Sequence, residues 1–182
     1  MIQFHPYSIV LTVSAIATLT VFLIARRRSA PGSLALNGML LGMFIWGFSY
    51  ALSWAFVPFN YKVVWLKIMF LDMTIVPGLF LIFTLRITHR DQWITFRNYV
   101  LLFFEPFIIL LLVLFAPGFI FKSIEPVFKD GFAVVQLQRG IGFWINTIYS
   151  YAVILLSLTL LGISYRNANH FFKKQYLMIL LK

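Results

Sequence analysis

The chain has 182 residues, 62% of them hydrophobic and only 11% charged, with a mean hydropathy of +0.92. No soluble domain of this size hides that much apolar surface, so the composition excludes a soluble fold. The net charge of +10 would suggest nucleic acid in a soluble protein, but here the basic residues cluster at the ends of apolar runs, where they set membrane orientation.

The first apolar run, Tyr7 to Ala25, is followed at once by Arg26-Arg27-Arg28. A cleaved signal peptide carries its positive charge before the apolar core, not after it. The run therefore predicts an uncleaved anchor over residues 7–25, N-terminus outside and arginines inside. Pro31-Gly32 breaks the chain. The second span, about 34–56, returns outward. On it Gly38 and Gly42 lie four apart, and Trp46, Ser49, Tyr50 and Ser53 follow at helical spacing. Two readings of that stripe stay open. Small residues let another helix pack closely, with the hydroxyls on backbone carbonyls, or the stripe lines a polar pocket.

The third span, about 63–85, is the one around which the others are expected to gather. Lys62 and Lys67 stand at its outer end, Arg86 at its inner end, and Asp72 well inside it. A carboxylate there costs on the order of 2.5–3.5 kcal/mol on insertion scales, so it should face protein or water. Pro77 frees one backbone carbonyl and is a hinge candidate. Counting about 1.5 Å per residue from Val57-Pro58-Phe59-Asn60 puts Asp72 and Ser49 at similar depth in the outer halves of their spans. A contact between Asp72 and the Ser49, Tyr50, Ser53 stripe is therefore expected. Lys67 lies off the helical face of Asp72.

Thr84 to Asn98 reads as an inner interfacial loop, with His89 a solvated residue of that loop. The fourth span, about 99–115, carries Glu105 and a second hinge candidate, Pro106. Glu105 snorkels to the inner face, pairs with a loop arginine, or is buried in its neutral form. Ala116 to Gly142 is the longest hydrophilic stretch and lies outside. In it, Lys129-Asp130-Gly131 between β-prone residues predicts a hairpin. The hairpin either covers the outer mouth of the bundle or lies on the headgroups. The fifth span, about 143–163, carries Asn146, Tyr149 and Ser150 in its outer half. Arg166, Lys173 and Lys174 mark the inside again, and 176–182 opens a sixth apolar run too short to cross a bilayer.

The expected fold is all-α, a polytopic transmembrane helix bundle of five full spans and the start of a sixth. Its N-terminus is outside, with a short extracellular β-hairpin between spans four and five. Residues 1–182 are expected to form a single, C-terminally incomplete domain. The three inner loops hold more basic residues than the outer connections, as the positive-inside rule asks. Paired Gly/Pro-interrupted segments of the transporter kind are absent. There is no cysteine, hence no disulfide, thiolate metal site or cysteine nucleophile. No catalytic residue, metal site or cofactor is expected.

The order of these features resembles the N-terminal seven-transmembrane region of bacterial sensor histidine kinases. The resemblance rests on the basic run with Pro31-Gly32, on Trp46 and Tyr50, and on Trp65, Pro77, Phe83 and Thr84. Pro106, Gly142-Phe143-Trp144, Tyr149-Ser150-Tyr151 and Lys174-Gln175 complete it. The chain departs from the family after the fourth span, where Phe115-Ala116-Pro117-Gly118 stands in place of a frequent Thr and His. The resemblance implies seven helices followed by cytoplasmic signalling domains, whose catalytic motifs this chain lacks.

The leading expectation is a multi-pass input region in the bacterial plasma membrane that passes an external or membrane stimulus to a cytoplasmic output domain. Asp72, Trp46, Ser49, Tyr50, Ser53, Asn146, Tyr149 and Ser150 are its candidate ligand-binding residues. Expected partners are the bilayer, the downstream signalling domain, a small-molecule stimulus of open class and, as an option, a second copy of the chain; nucleic acid is not among them. The alternatives are a small proton-coupled transporter using Asp72 and Glu105, and a scaffold with no ligand. A retinal pigment and an enzyme are disfavoured.

Overall fold

The apolar runs fold as helices because a chain in lipid must satisfy its own backbone. The computed structural model describes residues 2–129 and 131–167. Helices α1 (Pro6–Ala25), α2 (Ser33–Ala55), α3 (Phe59–Ile87), α4 (Phe96–Phe115) and α5 (Ile141–Asn167) are each long and apolar enough to span a membrane. Strands β1 (Phe121–Lys129) and β2 (Phe132–Arg139) form an antiparallel hairpin between α4 and α5. The polytopic helical bundle and its hairpin are therefore as expected. The sixth span expected over 176–182 lies outside the described residues, as does Asp130 at the hairpin turn.

Helix α3 is the hub: α2, α4 and α5 all pack on it, while α1 lies against α2. Gly38 and Gly42 do serve close approach. A Cβ on Gly38 would meet Leu79 at 3.0 Å, and one on Gly42 would meet the Asp72 Oδ1 at 2.7 Å. Toward the hairpin, Phe70 packs with Ile109, Val113, Ile120 and Phe121. Toward the arginine-rich loops, Leu81 and Leu85 pack with Val153 and Leu160.

Capping fixes the loops more tightly than composition suggests. Helix α3 ends with His89 in the left-handed region (φ 55°), and the Arg90 N–H donates to the Leu85 carbonyl. This is a Schellman-type stop with histidine where glycine is usual. The Thr95 hydroxyl accepts from the Asn98 N–H at 3.3 Å, an N-cap that starts α4 at Phe96. The loop between α3 and α4 is thus shorter than the stretch Thr84 to Asn98, and Arg86 pairs with Asp91 at 2.6 Å within its ends. Starting α4 early also moves Glu105 to the middle of the helix. Among the described residues it does not snorkel or pair with a loop arginine: both its carboxyl oxygens are buried without a hydrogen-bond partner there.

The hairpin covers the end of the bundle away from the arginines. Lys129 pairs with Phe132, leaving a two-residue loop in which Gly131 adopts φ 82°, as a tight primed turn requires. Gln3 ties it down. Its Nε2 donates to the carbonyls of Trp54 and Ala133, both at 2.8 Å, and its Oε1 accepts from the Ala133 N–H at 3.0 Å. His5 lies between Trp54, on which it is tilted, and Phe132, which it meets edge to face, with centroids at 4.4 and 4.5 Å. Beneath this cover lies Lys62, 2% exposed, its Nζ donating to the Ser53 carbonyl at 2.8 Å. An ammonium there satisfies one of the carbonyls left orphaned at the end of α2.

Candidate functional site

The Lys62–Ser53 bond sets the register of two antiparallel helices. Stepping down both from that pair brings Asp72 level with Gly42 and Met43, about two turns deeper than Ser49. The expected depth match with Ser49 fails because α3 begins at Phe59 and its first turn already stands beside the end of α2. Asp72 therefore sits at mid-bundle, at the centre of α3, and not in its outer half.

At that depth α2 and α5 stand apart over α3 and enclose a cavity of about 600 Å³. Helix α3 contributes Phe70, Asp72, Val76 and Pro77. Met43 and Trp46 come from α2, and Phe143, Trp144, Asn146 and Ser150 from α5. Arg139, at the end of β2, stands at the outer edge with its guanidinium over the Phe143 and Trp144 rings, at 4.9 and 5.8 Å.

Three polar groups on this wall have no partner among the described residues. Most hydroxyls in the spans bond back to the carbonyl one turn earlier, as Thr12, Thr147, Ser157 and Thr159 do, the usual way to bury a hydroxyl in a helix. Ser150 Oγ and Asn146 Oδ1 are buried with no hydrogen-bond partner among the described residues. Among the described residues Asp72 has neither a hydrogen bond nor an ion pair. Pro77 removes the helical donor to the Met73 carbonyl, and Met73 lines the same cavity.

A family model for the N-terminal 7TM region of histidine kinases matches residues 9–181. The chain belongs to that family. Neither a curated protein nor a solved structure matches it. Family membership makes this chain a membrane-embedded sensor region of two-component signalling, and such a region is not itself a catalytic domain.

Within this 7TM region, the residues singled out in the sequence divide into four places. Asp72, Trp46, Asn146 and Ser150 share the α2–α5 cavity. Tyr50 and Ser53 line a separate small cavity beside Lys62, closed by Val134, Val135 and Leu137 of the hairpin. Ser49 is buried within the packed face of α2. The stripe that reads as one surface in sequence is split because it runs almost two turns along α2, so that Trp46 lies at the depth of one cavity and Tyr50 and Ser53 at that of the other.

Tyr149 turns the other way, toward α4. Its hydroxyl donates to the Leu102 carbonyl. That carbonyl is the one Pro106 leaves without a helical donor, since proline has no N–H. A tyrosine on α5 thus satisfies a vacancy made by a proline on α4. Tyr149→Phe is expected to lower thermal stability in detergent by about 1–2 kcal/mol. In a Pro106→Ala background the alanine N–H takes over, and the same substitution should then cost much less. Equal losses in both backgrounds would contradict the arrangement.

Sequence reading misses two features. Arg139 counts there only as an outer-loop charge, although its place just before Gly142-Phe143-Trp144 is a signal of ring stacking. Lys62 passes as a span end, and nothing local marks it as buried; its cover comes from a hairpin far along the chain.

Proposed function

We propose that residues 1–182 form the input unit of a histidine kinase in a bacterial plasma membrane, and that occupancy of the α2–α5 cavity is its stimulus. A guest alters how α2, α3 and α5 pack, and a cytoplasmic output domain reads the change. The observation that supports this reading is the pair of buried groups without a partner among the described residues, Asn146 Oδ1 and Ser150 Oγ, beside Asp72. Buried polar groups are left unsatisfied at a cost of about 1–3 kcal/mol each, a cost that a ligand bringing donors would remove. Pro77 and Pro106 lie inside their helices and serve as the bending points. The proton-coupled transport reading is weaker, since Glu105 on α4 is not on the wall that holds Asp72.

The test is a blocked cavity. In membrane vesicles holding the full-length protein, Ser150→Trp is expected to lock autophosphorylation at one level, high or low, several-fold from that of the unaltered protein. Unaltered kinase output in the Ser150→Trp variant, or a full-length protein without a kinase output, would overturn the proposal.

A further inference from the structure

A cavity wall states what its guest must bring. Here three polar groups are a carboxylate, Asp72, an amide oxygen, Asn146 Oδ1, and a hydroxyl, Ser150 Oγ, none with a partner among the described residues. Arg139, Thr147 and Tyr151 also line the cavity; the rest of the wall is apolar, and the rings of Trp46, Phe70, Phe143 and Trp144 are prominent in it. We propose that the α2–α5 cavity binds an organic amine, with its ammonium N–H groups on Asp72, Asn146 and Ser150 and its apolar body against the aromatic rings.

The proposal rests on the reading of this cavity as the stimulus site, and it adds the chemical class. A carboxylate at mid-membrane depth is stabilised by a counter-charge, and truncating that pairing is costly. An ammonium supplies the charge and up to three donors, and aromatic faces attract the same cation. The volume of about 600 Å³ is in the range of small-molecule sites. An anionic guest fits less well, because the carboxylate repels it. Among the described residues, none fills the role of counter-charge either. Arg139 lies over Phe143 and Trp144 at the outer edge and makes no ion pair with Asp72. Lys62 is held by the Ser53 carbonyl under the hairpin, and Lys67 is not on the wall. The Thr147 hydroxyl, which does line the cavity, is committed to the Phe143 carbonyl at 2.8 Å.

Three probes of one shape separate the possibilities: phenethylamine, propylbenzene and 3-phenylpropionate. Each is titrated against the chain in lipid nanodiscs, following the fluorescence of Trp46 and Trp144, with empty nanodiscs to subtract partitioning. Phenethylamine is expected to saturate, while the neutral and anionic probes do not. Asp72→Asn should weaken the amine roughly tenfold or more, since charge-assisted hydrogen bonds are about twice as strong as neutral ones. Asn146→Val, which leaves the carboxylate in place, should weaken it several-fold. If propylbenzene binds as tightly as the amine, the amine assignment falls while the cavity remains a ligand site. If 3-phenylpropionate alone saturates, the charge logic is reversed and the assignment falls. If no probe saturates, the amine assignment falls, and an unchanged kinase output in Ser150→Trp would remove the cavity reading with it.

Discussion

Replacing Lys62 by alanine is expected to lower the unfolding free energy by about 2–4 kcal/mol, read as a loss of thermal stability in detergent. Two terms add. The side chain is 2% exposed, so truncation leaves a cavity where its stem lay. The Ser53 carbonyl also loses a charge-assisted donor at 2.8 Å. Lys62→Met separates the terms, since it keeps the stem and removes only the donor; its expected loss is about 1–2 kcal/mol. A neutral effect of Lys62→Ala would mean that the hairpin does not seal this end of the bundle.

The other large effect is functional. Asp72→Asn keeps the shape of the side chain and its capacity to accept a hydrogen bond, but it cannot carry charge. The variant is expected to insert and fold normally, because Asp72 has no partner among the described residues to lose. In the full-length protein its response to stimulus should fall by roughly tenfold or more, the loss expected when a charged anchor is removed from a site of low dielectric. A variant that signals normally would show that Asp72 is only a structural acid lodged against Gly42. Comparing helix content and kinase output in one preparation distinguishes loss of response from loss of fold.

Most of the architecture is legible in the sequence because membrane spans are written in long, uninterrupted signals. Arg26-Arg27-Arg28, the Pro31-Gly32 break and the apolar runs leave little freedom for the number and direction of the helices. The hairpin is legible from Gly131 and its β-prone flanks for the same local reason. The site is only half legible. Helical periodicity says which residues share a face but not how far one helix slides along its neighbour, and such a slide separates Asp72 from Ser49. The register depends on one contact, Lys62 to Ser53, that no local pattern announces. Tyr149 illustrates a second limit. It falls at the right spacing to join Asn146 and Ser150, yet its hydroxyl is drawn to α4 by a vacancy that Pro106 creates on another helix.

The cover over Lys62 has a consequence for biogenesis. Val134, which helps close the cavity beside the ammonium, follows Lys62 by 72 residues in the chain. At about 5–20 residues per second, that separation corresponds to roughly 4–14 seconds of synthesis. During that interval the first three helices can already be in the bilayer with the lysine still hydrated at their rim. Gln3, held to Ala133 in the finished protein, waits even longer for its partner. The seal therefore cannot close before β2 is made, and a nascent chain halted before β2 would present an open, charged rim that quality-control proteases can distinguish from the completed bundle.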